Sequence, residues 1–310
     1  MMALHPQAAE FLDRMNALNL PDAWEIGTAA RYSGHEEVDL AGPIESGVEI
    51  SHRFITTPTA DLPIRIYIPA GAKNFGGLIY FHGGGWVFGH IDRYDAQLVA
   101  LAKRTNSIAI SVNYQKSPEH KFPIPHDDCY AALEWVFNNA AALNIDPHKI
   151  GVAGDSAGGN LASGVALRAR DEGKYSIAYQ LLIYPANGID FEAPSYHTNA
   201  QGYGLSRKSM MWFWDQYLSQ GDHTNPYAVP HAAHDLSGLP PTIIITAEYD
   251  VLHDDGASYA DKLAKAGNQV SYKDYLGHIH GFFSHGKYVE EGIKVRDFFA
   301  DEINKVLAKR

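Results

Sequence analysis

Five short, nearly continuous apolar runs recur along the chain: GGLIYF (76–81), SIAISVNY (107–114), KIGVAG (149–154), YQLLIYP (179–185) and PTIIITA (241–247). Runs of this length and uniformity suit strands buried on both faces, which is the environment of a parallel sheet. Between them lie stretches of helical character: DAQLVALAKR (95–104), HDDCYAALEWVFNNAAAL (126–143), AGGNLASGVALRARDEG (157–173) and DGASYADKLAKAG (255–267). These supply the crossovers that parallel strands require. Upstream, VEISHRFI (48–55) and PIRIYIPA (63–70) alternate apolar and polar residues around a break with Pro and Asp, the pattern of an antiparallel hairpin. VSYKDYL (270–276) reads as a last strand and VEEGIKVRDFFADEINKVLAKR (289–310) as a closing amphipathic helix. The pattern predicts a single α/β domain over residues 1–310, with an eight-stranded, mostly parallel sheet and helices on both faces.

Two segments stand outside the alternation. Residues 1 to about 45 have helical character ahead of the first strand, and residues 187 to about 238 separate two sheet strands with a composition rich in aromatics, Pro and Asn. An insertion of that length inside a compact domain usually carries function, as a lid or binding element. The two segments are expected to pack together as a helical cap over a catalytic core of about 46–186 and 239–310.

Within this frame the stretch GDSAGGN (154–160) follows the apolar run KIGVA and opens a helix. Gly-x-Ser-x-Gly in a strand–turn–helix context is the arrangement that exposes a nucleophilic serine on a sharp turn. The glycines leave room for backbone packed against backbone, and the helix start brings N–H groups to a developing oxyanion. FHGGGWVFGH (81–90) follows the strand GGLIY, and its consecutive glycines leave backbone N–H groups open to a substrate carbonyl. It is not a dinucleotide fingerprint, because the sixth position counted from Gly83 is Phe88.

A nucleophilic serine needs a base, and the base needs an orienting acid. With sixteen histidines, position has to decide. LGHIHGFFSHG follows the last strand, and His280 is preferred there over His278 and His285. In ITAEYDVLHDDG, Asp250 lies just past a strand, whereas Asp254 and Asp255 fall at a helix start and read as dipole-stabilised carboxylates. Asp155 adjoins the serine, but its side chain should diverge on so tight a turn. The chain order Ser156, Asp250, His280 matches that of α/β-hydrolases.

The pieces HGGGW (82–86), NYQKSPEHKFP (113–123), GDSAGGN (154–160), EYDVLHDDG (248–256) and HIHGF (278–282) together resemble the hormone-sensitive-lipase-like, bacterial family IV esterases, and among them the bacterial acetyl esterases. The resemblance covers residues 82 to 282. It departs at Tyr-Gln-Lys-Ser-Pro-Glu (114–119) and Asp-Val-Leu (250–252), away from any catalytic side chain. It implies an α/β-hydrolase fold, Ser156 as nucleophile, Asp250 and His280 as its partners, and His82 as a structural support. It further implies an oxyanion hole over Gly83, Gly84, Gly85 and Ala157, in which Gly83 shapes the loop and the other three donate. The implied activity is hydrolysis of short-chain carboxylic esters through an acyl-enzyme, with no cofactor and no metal. An amidase or formamidase uses the same triad, and a receptor that keeps the pocket without catalysis would lack a triad member.

Side chains expected to bind the substrate are Trp86 and Phe88, beside the glycine loop, and Met210, Met211 and Trp214 of the cap. For these residues, packing of the cap on the body stands as the alternative reading. His253, His278, His280, Asp254 and Asp255 show no recognised metal spacing, and Cys129 reads as inert core.

The bulk numbers set the remaining bounds. A formal charge of −11 over 310 residues argues against a nucleic-acid partner. No apolar stretch approaches a membrane span, and the N-terminus lacks the pattern of a signal peptide. A single cysteine fits a reducing compartment, so a cytoplasmic setting is expected. The expected partner is a small-molecule ester, not nucleic acid or membrane, and a homodimer is left open.

Overall fold

The computed structural model describes residues 3–32, 40–71 and 75–309. Residues 1–2 and 33–39 of the first helical segment, and Arg310 at the end of the closing helix, lie outside the described residues. Eight strands form one sheet: β1 (Val48–Thr56), β2 (Asp61–Pro69), β3 (Phe75–Phe81), β4 (Ser107–Val112), β5 (Ile145–Asp155), β6 (Gln180–Ile183), β7 (Thr242–Tyr249) and β8 (Val270–Ile279). Their spatial order is β1-β2-β4-β3-β5-β6-β7-β8, antiparallel for the pairs β1–β2 and β2–β4 and parallel for the rest.

The helices are α1 (Pro6–Ala17), α2 (Ala23–Ile26), α3 (Asp95–Thr105), α4 (Ile124–Asn139), α5 (Ala157–Glu172), α6 (Pro194–Thr198), α7 (Arg207–Tyr217), α8 (His253–Lys265) and α9 (Glu291–Leu307). Alternate residues of β3 face opposite sides, and both sides are buried. Ile79 and Phe81 join a core with Leu133 of α4, Leu161 of α5 and Leu263 of α8. Leu78 and Tyr80 join a second core with Leu98 of α3 and Phe299 of α9. Burial on both faces is why these strands carry continuous apolar runs.

The strand order places the site. From β3 the chain steps to β4 on one side and later returns to β5 on the other. In open α/β sheets the crevice at such a reversal, beyond the carboxyl ends of the strands, is where ligands bind. The glycine loop leaves β3 there and Ser156 leaves β5 there, with Phe81 paired to Gly154.

The first helical segment divides between two contacts. Short α2 packs toward α7, where Lys208 Nζ lies 4.8 Å over the Trp24 ring. Longer α1 packs instead on the end of β8 and the region that follows, with His5 N–H donating to Gly277 O at 2.8 Å and the Phe11 ring 4.1 Å from that of His285.

Candidate active site

β5 ends at Asp155 and α5 begins at Ala157, leaving Ser156 between them at φ 56°, ψ −121°. A residue with a Cβ held there stores about 1–3 kcal/mol of strain, so the surroundings must fix it. The Ser156 N–H donates to Ile183 O at 2.8 Å, and its carbonyl accepts from Asn160 N at 3.1 Å and Ala186 N at 3.2 Å. The helix start is pressed against β3: a Cβ on Gly158 would lie 1.9 Å from the Phe81 carbonyl oxygen. Only glycine fits at that contact.

The turn after β8 brings His280 to the serine, with Nε2 3.0 Å from Ser156 Oγ. On the other side of the ring, Nδ1 lies 2.6 Å from Asp250 Oδ2. A carboxylate can only accept, so Nδ1 carries the proton and Nε2 is left to accept from the serine hydroxyl. Asp250 is 1% exposed, and its Oδ1 accepts the Leu252 N–H at 2.9 Å. From the inserted segment, Asn199 Nδ2 donates to the carbonyls of Glu248 and Asp250, fixing the loop that carries the acid. The Tyr184 ring lies 4.6 Å from that of His280. His278 and His285 take no part. Burial pushes them down to about 4 and about 3, and they pack as neutral rings against His5 and Phe11 of the first segment.

Asp155 does turn away from the serine. Its Oδ1 accepts the Gly83 N–H at 2.8 Å and the Tyr80 hydroxyl at 2.6 Å, and its Oδ2 accepts the Tyr94 hydroxyl at 3.0 Å. Burial raises its pKa against the pull of these three donors. Gly83, expected in the oxyanion group as the residue that shapes the loop, has its N–H committed to Asp155 and is not a free donor. Gly84 and Gly85 follow at φ +118° and +60°, and among the described residues their N–H groups have no recorded acceptor. With the N–H of Ala157, the first residue of α5, they are the donors available to an oxyanion. His82 is buried and held neutral chiefly by desolvation; its Nδ1 lies 2.8 Å from Gly83 O and its ring stacks on Tyr114 at 4.3 Å. Asp155→Ala strands three donors at once. It is expected to cost about 2–5 kcal/mol of stability and about 10²-fold in kcat, read by thermal unfolding and steady-state kinetics.

A cleft of about 1030 Å³ opens over Ser156 and His280. Of the side chains expected to bind substrate, Met210 lines it. The others are placed differently. Trp86 is fully buried, stacked on Tyr217 at 4.5 Å and near Trp214 at 4.4 Å, with Nε1 donating to Asn160. Trp86 and Trp214 thus form an aromatic post that seats α7 on the glycine loop. Phe88 supports Phe213 edge-on at 5.6 Å, and Met211 faces outward, 43% exposed. Phe213, which the sequence offers only as one of the bulky cap side chains with packing as the alternative, is a cleft wall, its ring covering Gly85 so closely that a Cβ there would lie 2.2 Å away. Its spacing of three from Met210 was the available signal; Leu205, also on the wall, lies in a loop with none.

The remaining polar candidates are dispersed. His253 pairs with Asp274 and Asp254, which raise it to about 9. Asp254 and Asp255 do sit in the first turn of α8, yet they also hold the inserted segment. Asp254 accepts from Ser195 N, and Asp255 from the N–H groups of Asn187 and Gly188. Cys129 is buried in α4, and burial raises its thiol well above the ordinary range.

A serine that lines the cleft at a strand-to-helix turn, an aspartate and a histidine just beyond the ends of later strands, and open N–H groups beside it define a serine hydrolase built on the α/β-hydrolase fold. The comparisons agree. Residues 78–284 match the family model described as alpha/beta hydrolase fold. The carboxylesterase NlhH of Mycobacterium tuberculosis is 43% identical over 227 residues, covering 72% of this chain and 71% of that protein. The arylesterase of Saccharolobus solfataricus is 34% identical over 284 residues, covering 91% of this chain and 92% of its own. Among solved structures, an ester hydrolase from the Lake Arreo metagenome superposes with a TM-score of 0.93 at 36% identity, covering 98% of this chain and 99% of that one. The chain belongs to the α/β-hydrolase family, in its hormone-sensitive-lipase-like branch. No helix among the described residues is long and apolar enough to cross a membrane.

Proposed function

We propose that this protein hydrolyses carboxylic esters of short acids through an acyl-enzyme formed on Ser156. The observation that carries the reading is the continuous relay from Asp250 through His280 to Ser156, at 2.6 and 3.0 Å, beside open N–H groups. His280 takes the hydroxyl proton as Ser156 Oγ attacks the ester carbonyl, while Gly84, Gly85 and Ala157 N–H groups receive the oxyanion. Collapse of the tetrahedral intermediate expels the alcohol with the proton from His280. Water then attacks the acyl-enzyme with His280 again as base, releasing the acid. The segments at either side of residue 200 and around α2 act as the cap that closes this site. An ethyl acetate hydrolase of Pseudomonas putida, 32% identical over 306 residues, supports a short acyl group.

The test is a p-nitrophenyl ester series from acetyl to palmitoyl beside a paired amide, with the serine mapped by an organophosphate. A stoichiometric adduct on any residue other than Ser156 overturns the reading. Activity is expected to peak at about two to six carbons, because each methylene that meets a ring wall costs about 1–3 kcal/mol while one that fits gains about 0.8 kcal/mol. Phe213→Ala should move the optimum to longer chains by opening the wall over Gly85. Trp214→Ala, at a buried post, should instead lower stability by about 3–5 kcal/mol. An unchanged chain-length profile in Phe213→Ala would remove that residue from the pocket wall.

A further inference from the structure

Among the described residues, the cleft that holds Ser156 and His280 also contains a cation without a counter-charge. Arg93 stands on the short turn Ile91–Tyr94 beyond the glycine loop, lines the cleft and is half-buried. The turn itself is rigidly held. Tyr94 bonds to Asp155 and accepts the Gly83 N–H at 3.1 Å, and Arg65 grips both Asp92 at 2.7 Å and Asp95 at 2.5 Å.

Among the described residues, every carboxylate lining the cleft is thereby committed elsewhere: Asp92 and Asp95 to Arg65, and Asp155 to Gly83, Tyr80 and Tyr94. The second guanidinium of the cleft, Arg31, is taken up by Glu119 and by the carbonyls of Val87 and Ser117. Among the described residues Arg93 has no acidic partner. It shares the cleft lining with Ser156 and His280.

A partly desolvated guanidinium without a counter-ion gains most from an anion, and its planar fork matches a carboxylate through two parallel hydrogen bonds. Building on the ester-hydrolase reading of this site, we infer that the substrate is an ester carrying a free carboxylate, selected by Arg93. Two sources share that chemistry: a half-ester of a dicarboxylic acid, with the charge on the acyl side, and an O-acylated hydroxy acid, with the charge on the alcohol side.

The experiment measures kcat/KM for two matched pairs. One is monoethyl succinate against ethyl succinamate; the other is O-acetyl-lactate against O-acetyl-lactamide. In at least one pair, Arg93→Gln should lower the ratio of charged to neutral substrate by about tenfold or more, the range for a lost hydrogen bond to a charged group. Arg93→Lys should keep part of it, and the pair that responds assigns the side. Calorimetry with the same charged esters compares Ser156→Ala with Ser156→Ala/Arg93→Gln, and binding should weaken by a similar factor. Unchanged ratios in both pairs, or equal affinities in the two serine-less proteins, overturn the inference. Failure of the wild type to cleave any ester, charged or neutral, would instead strike the esterase reading, and the calorimetry would still decide the role of Arg93.

Discussion

Ser156→Ala is expected to lower kcat on a short-chain ester by at least about four orders of magnitude while leaving the fold intact. Both halves follow from the turn. Serine and alanine share the Cβ that strains the backbone at φ 56°, so the exchange adds no new conformational cost. The bonds that fix the turn are made by main-chain atoms, through Ile183 O, Asn160 N and Ala186 N, and survive it. What disappears is the Oγ that lies 3.0 Å from His280 Nε2. Because nucleophile and base act as a unit, His280→Ala added to Ser156→Ala should cost little more. Thermal unfolding and single-turnover hydrolysis check the two halves separately. Substantial burst-phase hydrolysis by a folded Ser156→Ala protein would show that the acyl group is carried elsewhere.

How much of this was legible in the chain depends on what each feature requires. Strands buried on both faces write themselves as apolar runs, and β3 to β7 are found where the five runs lie, with β1, β2 and β8 at the segments read as a hairpin and a last strand. Boundaries were less visible. The run YQLLIYP continues to Pro185, but β6 stops at Ile183, because Tyr184 adopts φ +36° and Pro185 has no N–H to donate. The triad could be placed because each member sits just beyond the carboxyl end of a strand, and strand ends are readable. Its supports could not. Asp155 meets Tyr80 and Tyr94 from 75 and 61 residues away, distances that leave no local signal. Pocket walls were misplaced for a different reason. Met210, Phe213 and Trp214 all lie on α7, and sequence alone does not fix the rotation that turns Phe213 to the cleft and Trp214 to Trp86.

Asp250→Asn carries the other large effect, an expected loss of about 10⁴ in kcat with the fold retained. The two carboxylate oxygens have different duties. Oδ1 accepts the Leu252 N–H at 2.9 Å and Oδ2 faces His280 Nδ1 at 2.6 Å. An asparagine must keep its oxygen on the Leu252 N–H, since its amide group cannot accept there. The NH₂ is then forced toward His280 and donates to Nδ1, which drives the ring proton to Nε2. A ring protonated at Nε2 cannot take the proton of Ser156. The neighbouring acids make the control. Asp254 and Asp255 bind backbone N–H groups at the start of α6 and at residues 187–188. Their change to Asn should therefore cost about 1–2 kcal/mol of stability and less than about tenfold in kcat. That stability cost exceeds the fraction of a kcal/mol expected from the helix dipole alone, because the carboxylates anchor the inserted segment. Parallel measurement of kcat and unfolding midpoint on the three variants separates the roles. If Asp254→Asn or Asp255→Asn slowed turnover more than Asp250→Asn, the orienting acid would have to be reassigned.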